Sequence, residues 1–321
     1  MTTRYGYLGP EGTFTQMALQ SWVTAHEDGP DAAGTGEQVP FGSVDQALDA
    51  LRRSEIDAAM VPIENSVEGG VSATLDALAS GDPLVVTGEV NVPITFVLAA
   101  RAGMPLADVR SVGTHSHAWA QVRGWMDAHL PAATYVPTLS TAAAAAGLGD
   151  AGGSDGGRAA YDAAVCAPVA ATNHGLTVLA TDIGDRVGAV TRFVLVARPG
   201  ALPERTGADK TTVMLFQRDD RAGGLLELLE QFAVRGINMT RLESRPTKES
   251  LGSYCFSIDF EGHVWDERVG EALMGLKRVC AEVRFLGSYP REDGAQVEVA
   301  PLTTDEDFAG ARAWLTSLRR G

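Results

Sequence analysis

The chain has 321 residues, 45% of them hydrophobic, and a formal net charge of −15. That length suits two or three domains with substantial cores, and so acidic a balance argues against nucleic acid as a partner. No apolar run approaches the ~20 residues of a membrane span, and Cys166, Cys255 and Cys280 are too scattered for a disulfide framework or a metal site.

The N-terminus enters a strand pattern at Tyr5–Leu8 without the layout of a signal peptide, so a cytoplasmic location is expected. Gly9-Pro10-Glu11-Gly12 turns the chain into a helix near Thr13–His26. Ser43 and Gln46 read as a capping box for a helix ending about Arg53. A strand over residues 58–63 runs into Glu64-Asn65-Ser66-Val67-Glu68, then two glycines and a helix from about Val71. Strands follow over 85–90 and 94–99, and a strand over 109–113 turns into a helix near 117–129. Ser140, Thr141 and an alanine run form a helix. A strand over 163–166, a helix over 168–174 closed by Gly175 and a strand over 176–180 come next. Phe193–Ala197 is a buried strand with Thr191 and Arg192 at its mouth.

This alternation predicts an α/β architecture. Residues 151–157 read as a flexible surface loop and 201–209 as a linker. The pattern then becomes βαββαβ over about 210–291, a ferredoxin-like unit. An acidic tail over 292–321 holds one helical pattern around Phe308–Leu318.

No lysine precedes Lys210, so an anion bound by the first two thirds must be held by arginine or by backbone amides at helix N-termini. Thr13, Asn65, Ser66, Ser140 and Thr141 all stand where a helix begins or a strand ends, the places where open α/β sheets meet ligands. His115 stands at such a turn too, and reads equally well as a ligand contact or as a solvent-facing helix start. His115-Ser116-His117 lacks a nearby Cys or carboxylate partner, so no metal is expected. Gly147-Leu148-Gly149-Asp150-Ala151-Gly152 matches a dinucleotide fingerprint in letters alone. A helix precedes it where a strand is required, which makes it a helix stop. A buried Arg192 must be paired or must face a ligand.

Taken together, Gly9–Phe14, Pro62–Ser66, Thr191-Arg192-Phe193 and Glu243-Ser244-Arg245-Pro246 closely resemble the motifs of the monofunctional bacterial prephenate dehydratases, over nearly everything from Tyr5 to Arg291. The resemblance implies a two-lobed catalytic domain like a type 2 periplasmic binding protein over 1–200. One lobe would comprise about 1–76 and 185–200, the other about 77–184, with a C-terminal ACT regulatory domain over 210–291. It implies decarboxylating dehydration of prephenate to phenylpyruvate without metal or cofactor, since aromatisation drives the reaction. The implied donor to the leaving hydroxyl is Thr191, with His115 and Glu64 as proton sources. Thr13, Asn65, Ser66, Thr114, Ser140, Thr141, Arg192 and Phe193 would form the substrate site.

Phenylalanine would bind the ACT domain at Gly223, Leu225, Asn238, Glu243, Ser244, Arg245 and Pro246, in a homodimer or homotetramer. No nucleic-acid or membrane partner is implied. The chain departs from the family pattern at Thr114-His115-Ser116-His117, at Ala189 and at Gly223-Gly224-Leu225. Two alternatives share these features: an arogenate dehydratase, and a non-catalytic amino-acid sensor.

Overall fold

The computed structural model describes residues 2–26, 36–67, 69–150, 160–186, 188–246 and 254–320. Glu68 and the expected surface loop over 151–157 lie outside them. In chain order the first part comprises β1 (Arg4–Leu8), α1 (Phe14–His26), β2 (Glu37–Phe41), α2 (Val44–Arg52), β3 (Ala58–Asn65), β4 (Gly69–Gly70), α3 (Ser72–Ala79) and β5 (Val85–Pro93). Next come β6 (Val97–Ala100), β7 (Ser111–Thr114), α4 (Ser116–His129), β8 (Thr134–Pro137), α5 (Thr141–Asp150), β9 (Ala163–Cys166), α6 (Pro168–Asn173) and β10 (Thr177–Ala180). Then β11 (Val190–Ala197) follows.

These strands make two sheets. The first runs β2-β1-β3-β11-β5 with β4 beside β3, and the second runs β10-β6-β9-β7-β8. Ala58–Val61 of β3 are buried without alternation, the pattern of a strand covered on both faces. On α4, Ala118, Val122 and Met126 recur every four residues and pack on Val112 and Val165 of the second sheet. The sheet's other side takes α5 and α6 through Ala142, Ala145, Ala170 and Ala171, whose small side chains let the helices come close.

The chain leaves the first sheet after Pro93 and rejoins it at Val190. This corrects the expected change of lobe near residue 77: α3 is a crossover that returns β5 to the first sheet beside β11. Two crossings between two α/β sheets are the layout the periplasmic-binding-protein likeness requires.

The third sheet is built from β12 (Asp209–Phe216), α7 (Gly224–Ala233), β13 (Met239–Pro246), β14 (Tyr254–Glu261), α8 (Glu267–Val279) and β15 (Glu282–Pro290). Its order β13-β14-β12-β15, antiparallel throughout, is that of a ferredoxin-like βαββαβ unit. Val213, Leu215, Phe256, Ile258 and Phe260 face α7 and α8, where Phe232, Val269 and Leu276 complete the core. The opposite face is polar. Arg241 forks onto Asp259 with both contacts at 2.9 Å.

By its contacts the chain divides into two compact units. One is Met1–Ala50, Ala59–Gly69 and Val90–Phe193; the other is Leu51–Ala58, Gly70–Glu89 and Val194–Gly321. Within the second, the Lys210 ammonium meets both oxygens of buried Glu89 at 3.0 and 2.8 Å. Gly287, at φ 119°, lets β15 approach so closely that an added Cβ would lie 2.3 Å from the Val86 carbonyl oxygen. The tail forms α9 (Asp305–Arg320), which touches α8 through Arg312 and Glu267 and has no buried residue. Among the described residues no helix is long and apolar enough to cross a membrane.

Candidate active site

Three helix N-termini converge on one cavity of about 300 Å³ in the first unit. Thr13, Phe14 and Thr15 open α1, His115, His117 and Ala118 open α4, and Ser140 and Thr141 open α5; all line it. Each helix is capped by a local side chain. Thr13 Oγ1 accepts from Gln16 N at 3.3 Å and donates to the Leu8 carbonyl. Ser140 Oγ accepts from Ala143 N at 2.9 Å, and His115 Nδ1 accepts from His117 N at 3.4 Å.

The caps leave the amides of Phe14, Thr15, Thr141 and Ala142 without an acceptor among the described residues. These orphan donors sit at the positive ends of helix dipoles, the arrangement that binds anions. Among the described residues no lysine, arginine, aspartate or glutamate lines the cavity. Backbone dipoles therefore supply the positive potential that the lysine-free sequence required.

The far wall comes from the first sheet. Asn65 ends β3, and Thr191 and Phe193 lie two apart on β11, so both face the cavity. Phe14 and Phe96 meet edge to face, 5.9 Å between ring centroids, and with Phe193 give an apolar surface suited to a ring. Asn65 is held in one orientation. Its Oδ1 accepts from Val67 N at 2.8 Å, so its amide nitrogen is the end that reaches Thr191 Oγ1, also at 2.8 Å. The threonine oxygen is thereby the acceptor, and its proton has no protein acceptor among the described residues.

Seven of the expected residues thus meet at the cavity: Thr13, Asn65, His115, Ser140, Thr141, Thr191 and Phe193. Four stand outside its lining. Arg192 points to the other face of β11, where its guanidinium lies 3.5 Å from the Glu64 carboxylate; their side chains are 9% and 37% exposed. A cation as buried as Arg192 needs that partner, so both residues brace the sheet. Ser66 stitches β3 to β11 by exchanging two 2.9 Å hydrogen bonds with Val190. Thr114 is fully buried and donates to the Val165 carbonyl at 2.8 Å. Among the cavity residues outside the expected set are Ile94, Phe96, His117, Gln121 and Leu139. The recurrence of His117 and Gln121 at helical spacing could have found the middle pair.

A second cavity, about 440 Å³, lies on the ferredoxin-like unit. Gly223, in the left-handed region at φ 81°, starts α7, and Gly223, Leu225, Ser244, Tyr254 and Phe256 line the cavity. Asn238, Glu243, Arg245 and Pro246 do not. Strand alternation sends Glu243 and Arg245 to the opposite face of β13 from Ser244. There Glu243 accepts from Gly70 N at 3.1 Å and Arg245 pairs with Asp76 at 3.1 Å.

Burial pushes the Cys166 thiol up to about 12 and the Cys280 thiol up to about 11. Among the described residues no cluster of three or more His, Cys, Asp or Glu could hold a metal.

Known proteins share this fold. The prephenate dehydratase family model matches residues 5–201. A prephenate dehydratase of Amycolatopsis methanolica is 45% identical over 320 residues, covering 99% of both chains. One from Mycolicibacterium vanbaalenii is 47% identical over 321 residues, covering 98% of both. The crystal structure of an Arthrobacter aurescens prephenate dehydratase in complex with L-Phe superposes with a TM-score of 0.89 at 54% identity, covering 99% of this chain and all of that one. With its motifs, its two-sheet fold and its near full-length likeness to these enzymes, this chain belongs to the prephenate dehydratase family.

Proposed function

We propose that the chain is a prephenate dehydratase, a carbon–oxygen lyase that converts prephenate to phenylpyruvate, carbon dioxide and water. One observation carries the assignment to this cavity: the Asn65 amide makes Thr191 Oγ1 an acceptor, which turns the threonine proton outward toward a ligand. The leaving ring hydroxyl needs such a donor. The carbon–carbon bond to the ring carboxylate breaks and its electron pair enters the ring as the hydroxyl leaves with a proton; carbon dioxide and an aromatic ring result.

A threonine hydroxyl is too weak an acid to give up its proton outright near neutral pH. Its role is a positioned hydrogen bond in a confined cleft, with His115 a lining group placed to relay a proton from water. A carboxylate of prephenate would bind the open amides of α1 and α5, and its ring would lie against Phe14, Phe96 and Phe193. Arogenate and free amino acids bring an ammonium group, and among the described residues no carboxylate lines the cavity to receive it. This favours prephenate over arogenate dehydration and over an amino-acid sensor.

The ferredoxin-like unit we read as an ACT domain that binds phenylalanine in the second cavity. The amides of Leu225 and Leu226 at the start of α7 suit its carboxylate, and Leu225, Tyr254 and Phe256 suit its ring. The edge strand β13, with exposed Leu242 and Tyr254 close by, suits pairing of two copies into a dimer or tetramer. The setting is cytoplasmic biosynthesis.

The test is direct: purified protein must release phenylpyruvate from prephenate. Thr191→Val must lower kcat by roughly 100-fold or more with KM held within about twofold, the mark of a contact made in the transition state. A purely raised KM would remove the catalytic role from Thr191.

A further inference from the structure

The geometry points to His117 as the residue that reads a substrate carboxylate by charge and so sets the preference for a dicarboxylate. This rests on the prephenate reading of the same cavity. A substrate with two carboxylates enters a site with no lysine or arginine in its lining among the described residues, so the imidazoles of His115 and His117 are the described lining groups able to bear a full positive charge. They are not equivalent. His115 Nδ1 accepts from His117 N as the cap of α4. That nitrogen is therefore committed to the start of the helix.

The His117 ring takes no part in that cap. It stands one residue inside the positive end of α4, its ring centroid 5.1 Å from that of His115. Gln121 follows one turn along on the same face and also lines the cavity, giving a neutral donor beside the charged one. His117 is exposed before ligand arrives. A substrate carboxylate beside this ring would form a charge-assisted hydrogen bond with its imidazolium. Among the described residues His115 is the one other titratable side chain in the lining. His117 thus acts in binding, and the bond-breaking step stays with Thr191.

Steady-state kinetics with prephenate on the full-length protein test this. His117→Gln keeps a donor but no charge and should raise KM roughly tenfold, the loss expected for a hydrogen bond to a charged group, with kcat within about twofold. His117→Lys should bring KM back to within about threefold of the parent. Added sodium chloride should raise the parent's KM more steeply than that of His117→Gln, because one full charge has gone. If the parent releases phenylpyruvate and His117→Gln keeps the parent's KM, the inference fails while the prephenate reading stands. A KM raised equally in the Gln and Lys variants would also overturn it. If the parent releases no phenylpyruvate, the reading itself is what fails.

Discussion

The side-chain amide of Asn65 donates to Thr191 Oγ1 across 2.8 Å between residues 126 apart in sequence. Because the Val67 amide occupies Asn65 Oδ1, the carboxamide cannot turn round without breaking a second hydrogen bond. Proton direction at the threonine is therefore set two steps away, by a backbone N–H.

Asn65→Asp reverses that polarity. A carboxylate still accepts from Val67 but can only accept from Thr191, drawing the proton away from the ligand. We expect kcat to fall by roughly 100-fold. Asn65→Ala, which leaves the threonine proton undirected, should lose less. A ranking with Ala below Asp, read from kcat of both variants, would disprove the assigned direction.

Lys210 and Glu89 test the polar side of the third sheet. Lys210→Met leaves the Glu89 carboxylate buried opposite an apolar side chain and should cost about 3–5 kcal/mol of stability. The double variant Lys210→Met/Glu89→Leu removes the stranded charge and should recover most of the loss. Urea midpoints of the parent and both variants, at constant m value, decide it.

The thiols give a prediction in pH. Burial disfavours the thiolate, so Cys166 stands at about 12 in the fold against 9.0 for the free side chain. Above pH 9 the unfolded chain sheds this proton first. Stability conferred by the neutral thiol is complete below 9.0 and drains away as pH rises toward about 12. Thermal melts from pH 8 to 11 should show that decline, flattened in Cys166→Ala. In the native protein Cys166 should resist iodoacetamide that labels it in urea.

Ser244 and Glu243 are neighbours with opposite duties, so their variants should separate. Ser244→Trp fills the second cavity and should abolish the response to phenylalanine while leaving kcat without effector within about twofold. Glu243→Gln leaves that cavity's lining unaltered and weakens the contact with Gly70, so the phenylalanine affinity should change by less than about threefold. Calorimetric titration with phenylalanine compares them.

Much of this was legible in the chain. Missing lysines forecast a site made from helix ends, and the cap residues Thr13, Ser140 and His115 marked where those ends are. Other features were not readable from local pattern. The Pro40 in β2 and the brief, polar-flanked β8 disguise two edge strands whose partners supply their order. Glu64 and Arg192 lie 128 positions apart, so their pairing is a product of β3 and β11 meeting in one sheet. That Arg192 turns its back on the cavity does follow from strand alternation, once Thr191 is placed facing it. The same rule divides Glu243 and Arg245 from Ser244.

The place of β11 between β3 and β5 has a consequence for how the enzyme is made. β3 and β5 leave the ribosome long before β11, and until it arrives they are two open strand edges with a gap between them. The strand that closes the gap is the one that brings Thr191. Completion of the sheet and completion of the site are the same event, delayed by the whole second sheet's worth of chain. Such long-range closure slows folding and leaves sticky edges waiting. It also means that no N-terminal fragment ending before Thr191 can be active.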